Sequence, residues 1–180
     1  MKNTIVMISL ALMLGACNKD DFSWDLPRNN SFDNNSLSIP YEYINCESLS
    51  EFTVYVDKIS PSSGSSWIIG SGYIGSGFKT TGSNYGGYIE FSRNFTKNVK
   101  LRFWTLSTNP GYSSRTPEVL IDGINVNTSK IASSPSSYSD WMQLETEGVI
   151  LPGNHTIRIN FTRISTYYQY YIDEIEFWSR

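Results

Sequence analysis

The 180 residues carry a formal net charge of −3, with 17% charged residues and a single histidine. That balance excludes a basic nucleic-acid surface and the steering of highly charged ligands. Two cysteines and one histidine also exclude a Cys/His transition-metal cluster, and they leave a cysteine nucleophile no base but His155.

The chain opens with Met1-Lys2-Asn3 and then runs apolar from Thr4 to Leu14. At about ten residues the run falls short of the roughly 20 a spanning helix needs, and it has the form of a secretory signal. It closes on Leu14-Gly15-Ala16-Cys17, with small residues at both positions before the cysteine. These residues resemble the bacterial lipobox. The resemblance implies removal of residues 1–16, a diacylglyceryl group on Cys17 and, with Asn18 following, sorting to the outer membrane. Cys17-Asn18-Lys19-Asp20-Asp21 resembles the export tag of Bacteroidota surface lipoproteins, which implies an anchor facing the cell exterior. With Cys17 lipidated, Cys46 has no disulfide partner and is expected as a small buried apolar residue.

Residues 17–40 are rich in Asn, Ser and Asp, lack apolar periodicity and read as a lipidated, flexible tether. From Asn18 to Ser60 there are eight acids against three bases; from Pro61 onward nine against ten, so the globular part is nearly neutral. Residues 41–180 form the single folded domain. Short runs rich in β-branched and aromatic residues recur there, separated by Gly, Pro, Asn and Ser. In chain order the expected strands are Glu51–Asp57, Tyr88–Phe95, Val99–Leu106, Glu118–Val126, Trp141–Thr146, His155–Phe161 and Tyr170–Trp178. Within Val99–Leu106 the alternation places Val99, Leu101 and Phe103 on one face, with Lys100 and Arg102 on the other. Asp122-Gly123 splits Glu118–Val126 into a type I′ hairpin. Ile157, Ile159 and Phe161 point in while Arg158 and Asn160 point out. The Gly70–Gly77 stretch lacks a lysine and a following helix, so it is a strand-and-turn segment and not a phosphate cradle. Many short strands at regular spacing predict an all-β antiparallel sandwich.

Several of these segments, in this order, resemble the galactose-binding-like jelly rolls. They are Gly86-Gly87-Tyr88-Ile89-Glu90-Phe91 with Lys100-Leu101-Arg102-Phe103, then Val119-Leu120-Ile121-Asp122-Gly123 and Trp141. Leu151-Pro152-Gly153-Asn154-His155-Thr156-Ile157-Arg158-Ile159 and Tyr171-Ile172-Asp173-Glu174-Ile175-Glu176-Phe177 complete the set. The resemblance implies a jelly-roll fold and a place among carbohydrate-binding modules, adhesion domains or structural domains; fold alone does not choose between them.

The same resemblance implies a structural calcium, with Glu47 and Asp173 as its acidic ligands. By strand parity Asp173 shares the inward face of Ile175 and Phe177, where a carboxylate needs a partner: Ca2+, an arginine or backbone N–H groups. Sugar binding calls for aromatic platforms beside planar polar groups. Aromatic content is 14%, including 12 tyrosines. The family's loop-end cleft corresponds to the loops of Tyr85, Tyr138 and Tyr167-Tyr168-Gln169, and Asn84 and Arg115 can add hydrogen bonds there. The same tyrosines can equally pack on the sandwich edges with hydroxyls in water. Trp67, Trp104, Trp141 and Trp178 are expected in core or edge packing, and Glu174 and Glu176 on a solvated edge. No nucleophile signature is present. The expectation is a surface-exposed outer-membrane lipoprotein whose jelly roll binds poly- or oligosaccharide without catalysis. The alternative is a structural or adhesion protein that binds another envelope or host protein.

Overall fold

A computed structural model describes residues 40–44, 46–58, 65–82, 84–108, 115–134, 141–163 and 168–179. The signal segment, Cys17 and nearly all of the tether lie outside the described residues, as do Tyr138 and Tyr167. The described residues form twelve strands and no helix.

β1 (Glu42–Ile44), β3 (Trp67–Ser71), β4 (Ser76–Thr80), β6 (Val99–Thr108), β9 (Thr128–Ser133), β10 (Met142–Thr146) and β12 (Gln169–Ser179) make a seven-stranded antiparallel sheet. Its order is β3-β4-β12-β6-β10-β9, with β1 also on β12. β2 (Thr53–Lys58), β5 (Asn84–Phe95), β7 (Glu118–Ile121), β8 (Ile124–Val126) and β11 (Gly153–Phe161) make a five-stranded sheet of order β2-β5-β11-β7-β8. The two sheets form a sandwich.

Alternation in the sequence explains the core. Val99, Leu101 and Phe103 of β6 are fully buried, and so are Ile157 and Ile159 of β11. They join Ile89 and Phe91 of β5 and Ile172, Ile175 and Phe177 of β12 in one cluster, which also takes in Trp67 and Cys46. Burial pushes the Cys46 thiol up to about 12, as befits an apolar packing residue. The Asp122-Gly123 turn has positive φ at both residues, 53° and 80°, as a type I′ hairpin requires. His155 clasps that turn: its Nδ1 lies 2.7 Å from Asp122 Oδ2 and its Nε2 lies 3.0 Å from the Leu151 carbonyl.

One expectation is corrected. Asp173 does not share the face of Ile175 and Phe177. Between Asp173↔Trp104 and Glu176↔Arg102, β12 advances three residues while β6 advances two. The extra residue is a β-bulge at Glu174, whose φ is +50°. The bulge reverses parity, so Asp173 stands opposite Trp104 on the outer side of the seven-stranded sheet. It is buried there because the β3–β4 turn covers it: the Ile74 amide donates to Asp173 Oδ2 at 3.0 Å.

Candidate functional site

Of the described loop-end candidates, Asn84, Arg115, Tyr168 and Gln169 come together, but as internal structure. Asn84 is fully buried and forms an isolated β-bridge with Tyr168, itself 5% exposed. Tyr170, which the sequence left as a plain strand residue, ties them together. Its ring is buried, its hydroxyl donates to the Asn84 carbonyl at 3.1 Å and accepts from Arg115 Nη1 at 3.2 Å. The Arg115 guanidinium also stands 5.7 Å from the Tyr168 ring centre, and its backbone amide donates to Ser107 Oγ. Gln169 Nε2 donates to the Thr80 carbonyl. Tyr85 lies apart from this group, with the Arg163 guanidinium 5.4 Å from its ring centre.

Asp173 answers the question of its partner. Its carboxylate accepts the amides of Ile74 and Glu174, at 3.0 and 2.9 Å, and a further backbone hydrogen bond from Tyr73. Burial still holds its carboxyl above the ordinary range, with those amides offsetting part of the shift. Calcium collects oxygen ligands, whereas Asp173 faces N–H donors, and Glu47 stands exposed. Among the described residues no group of three His, Cys, Asp or Glu side chains comes together.

The arrangement best suited to a ligand lies on the outer face of the five-stranded sheet. A cleft of roughly 350 Å3 opens there over β2, β5 and β11. Register builds it. Tyr55 of β2 pairs with Tyr88 of β5, and Tyr88 pairs with Asn160 of β11. Outward alternation in three neighbouring strands therefore lays Tyr55, Tyr88 and Asn160 in a row, with Arg158 beside them. The Tyr55 and Tyr88 rings stack with centres 5.4 Å apart, and the Arg158 guanidinium lies 4.2 Å from the Tyr88 ring centre. Tyr88 is thus sandwiched, and Tyr55, 50% exposed, keeps an aromatic surface to solvent. Arg158 is held by Glu90 at 2.7 Å, Arg163 by Asp57 at 3.1 Å, and Asn160 donates to Glu118 at 3.2 Å. The floor is Gly86 and Gly87. Such a face offers one aromatic platform ringed by planar hydrogen-bonding groups, which suits a flat, hydroxyl-rich molecule.

The sequence marked Arg158 and Asn160 as outward but did not join them to Tyr55 and Tyr88, because only the register across three strands does so. A second group was also missed. Trp67 is in the core as expected, but the buried Trp141 joins Tyr73, Trp104 and Tyr171 in a cluster apart from it, with Tyr73 stacked on Trp104 at 3.8 Å. Glu174 and Glu176 do not lie on a solvated edge as expected: β12 is an inner strand of the sheet and both are half-buried, Glu174 accepting from the Tyr43 hydroxyl at 2.8 Å and Glu176 from Trp178 Nε1 at 2.7 Å.

No protein-family model matches the chain, and no curated protein matches it in sequence. Among solved structures it is similar to a family 35 carbohydrate binding module from Clostridium thermocellum. The TM-score is 0.51 at 19% identity, over 77% of this chain and 98% of that one. A weaker likeness, to the Agl-KA catalytic domain, has a TM-score of 0.43 at 12% identity over 83% of this chain and 30% of that one. At these identities likeness speaks to fold, and the first shows that the chain shares its all-β sandwich with a carbohydrate-binding module.

Proposed function

We propose that this chain is a non-catalytic carbohydrate-binding lipoprotein of a bacterial outer surface, and that the cleft over β2, β5 and β11 is its contact face. The observation that carries the reading is the half-exposed Tyr55 set in register beside Tyr88, Arg158 and Asn160, on the fold of a carbohydrate-binding module. Sugar rings stack by their C–H faces and hydrogen-bond at their rims, and this face carries both kinds of group. The signal-like start and Cys17 support a lipid anchor, with residues 17–40 giving the domain reach. Retention, not turnover, is the mechanism: the anchor holds the protein and the cleft holds glycan near the cell. Two of the carboxylates beside the cleft, Asp57 and Glu90, are each engaged by an arginine, an arrangement suited to binding.

The test is affinity electrophoresis of the purified chain in gels containing soluble polysaccharides, with Tyr55→Ala beside the parent. Retardation by at least one polysaccharide that falls tenfold or more in Tyr55→Ala, with melting unchanged, is the expected result. Tyr55 is exposed enough that its truncation costs little stability. Retardation that survives in Tyr55→Ala moves the site to the loop end of Arg115 and Gln169.

A second reading, a protein-binding surface, is favoured by exposed aliphatic side chains. Ile124 is 70% exposed and Leu151 60%, and the His155 clasp brings together the segments that carry them. Under that reading Ile124→Asp and Leu151→Asp, and not Tyr55→Ala, remove binding to the partner.

A further inference from the structure

We propose that the sheet-face cleft selects uncharged glycan and excludes acidic or sulfated glycan, because carboxylates placed in register silence both of its arginines. The inference rests on the carbohydrate-binding reading above.

Arg158 of β11 lies directly across from Glu90 of β5 in the sheet. Its Nε and its Nη2 both reach Glu90 Oε2, each at 2.7 Å. The Glu90 side chain is 23% exposed and that of Arg158 36%, so the pair is partly shielded from water and salt. At the other end of the cleft Arg163 Nη1 lies 3.3 Å from Asp57 Oδ1 and 3.1 Å from Oδ2; the Asp57 side chain is 14% exposed and that of Arg163 71%, so this pair is the more open of the two. A third carboxylate, Glu118, accepts from Asn160. Two guanidinium charges therefore face the three carboxylates Asp57, Glu90 and Glu118, a local balance of 2 − 3 = −1.

A uronate or sulfate ester that reaches the remaining N–H donors of these arginines meets a guanidinium whose charge a neighbouring carboxylate already offsets, and gains the full charge only by displacing that carboxylate. The displaced carboxylate then adds its own repulsion. A neutral hydroxyl meets no such penalty. A guanidinium has five N–H donors, and each carboxylate oxygen has further lone pairs to accept an O–H. The paired arginines act as fixed, planar hydrogen-bonding frames for hydroxyl pairs and contribute no net attraction for anions.

The experiment measures binding of the purified chain, by affinity electrophoresis and titration calorimetry, to two sets of polymers. One set is neutral: arabinoxylan, galactomannan and mixed-linkage β-glucan. The other is anionic: polygalacturonate, alginate and chondroitin sulfate. Both sets are run at about 20 and about 150 mM salt, spanning strong and weak electrostatics. The expected result is binding to at least one neutral polymer at least tenfold tighter than to any anionic one. In Glu90→Gln, which leaves Arg158 uncompensated, the anionic-to-neutral affinity ratio is expected to rise at least tenfold at low salt and to shrink at high salt. Asp57→Asn makes the same prediction through Arg163 and serves if Glu90→Gln does not fold, as judged by circular dichroism. Two results overturn the selection while leaving the carbohydrate reading standing: parent binding of an anionic polymer as tight as of the neutral ones, or an unchanged ratio in both folded variants. If no polymer binds, or if a Tyr55→Ala/Tyr88→Ala double variant binds as the parent does, the cleft reading fails and the selection with it.

Discussion

Gly86 shows how little room the cleft floor has. A Cβ built there would meet the Phe161 carbonyl oxygen at 2.6 Å and the Arg163 amide nitrogen at 3.1 Å. Both are backbone atoms, which cannot swing aside as a side chain does. Gly86→Ala must therefore push the end of β11 away from β5, at a cost of about 1–3 kcal/mol by the usual penalty for overpacking. The same displacement moves Arg163 off Asp57 and changes the cleft. Urea unfolding is expected to show the loss, with the slope of the transition unaltered. An unchanged midpoint would mean that β5 and β11 separate freely, and that the cleft is not rigid. Residue types alone could not reveal this role. A glycine pair in a strand reads as a weak point, and only the approach of other backbones makes it obligatory: a Cβ on Gly87 would likewise meet the Tyr55 carbonyl oxygen at 2.8 Å. Asn84 and Tyr168 show the converse. As an amide and an aromatic near a loop they read as ligand groups, yet both are buried in a bridge between β5 and the start of β12.

At the level of strands, the sequence is legible where alternation is regular and misleading where it breaks. β11 from Ile157 to Phe161 and β6 from Val99 to Thr105 keep inside-outside order, and the residues assigned to the core by alternation there are buried. β1 and β9 have no strand signal in the sequence, and β3 and β4 show there only as the strand-and-turn segment Gly70–Gly77; all four are short, glycine-bearing or mostly exposed, and their place is fixed by neighbours. β12 breaks alternation at Glu174, and a single extra residue moves Asp173 to the other face. There Asp173 fastens the β3–β4 turn to β12 through backbone amides. Asp173→Ala leaves several buried N–H groups unpartnered, which costs about 2–4 kcal/mol. Tyr73 sits in that turn and stacks on Trp104, so the loosening should also appear as a change in tryptophan emission. Dialysis of the parent against a chelator is the companion experiment, and no change in melting is expected. A fall on chelation would show that a cation, and not the amides, holds the carboxylate.

At the scale of the whole domain the carboxyls that the fold shifts, among the described residues, form two opposed sets, and their balance sets the pH at which the sandwich is most stable. Burial, reinforced by the charges of Asp173 and Glu176 and partly offset by the Tyr43 hydroxyl, pushes the Glu174 carboxyl up to about 7, and burial raises Asp173 as well. For these two the folded state holds its proton more tightly than the unfolded chain, so stability falls as pH rises from the ordinary carboxyl range through about 7. Glu145 and Asp122 act oppositely. Burial alone would raise Glu145, but the hydrogen bonds and charges of Arg102 and Lys100 outweigh it and hold the carboxyl down. The Thr156 amide, then His155, hold Asp122 down. Their contribution is complete above the ordinary carboxyl pKa and is lost as pH falls through the lower folded value. The two limbs predict a stability maximum in mildly acidic solution, near pH 5 by this linkage. Glu174→Gln should flatten the upper limb by roughly 1–2 kcal/mol, less than the full shift implies because the carboxyl is partly open to water. Glu145→Gln should leave the upper limb intact and weaken the protein on its own account, since Arg102 and Lys100 lose their shared partner. Urea midpoints measured from pH 3.5 to 8.5 decide the matter: a curve that climbs steadily to pH 8 would show that Glu174 ionises in the folded protein without cost, and that the β12 bulge leaves its carboxyl in water.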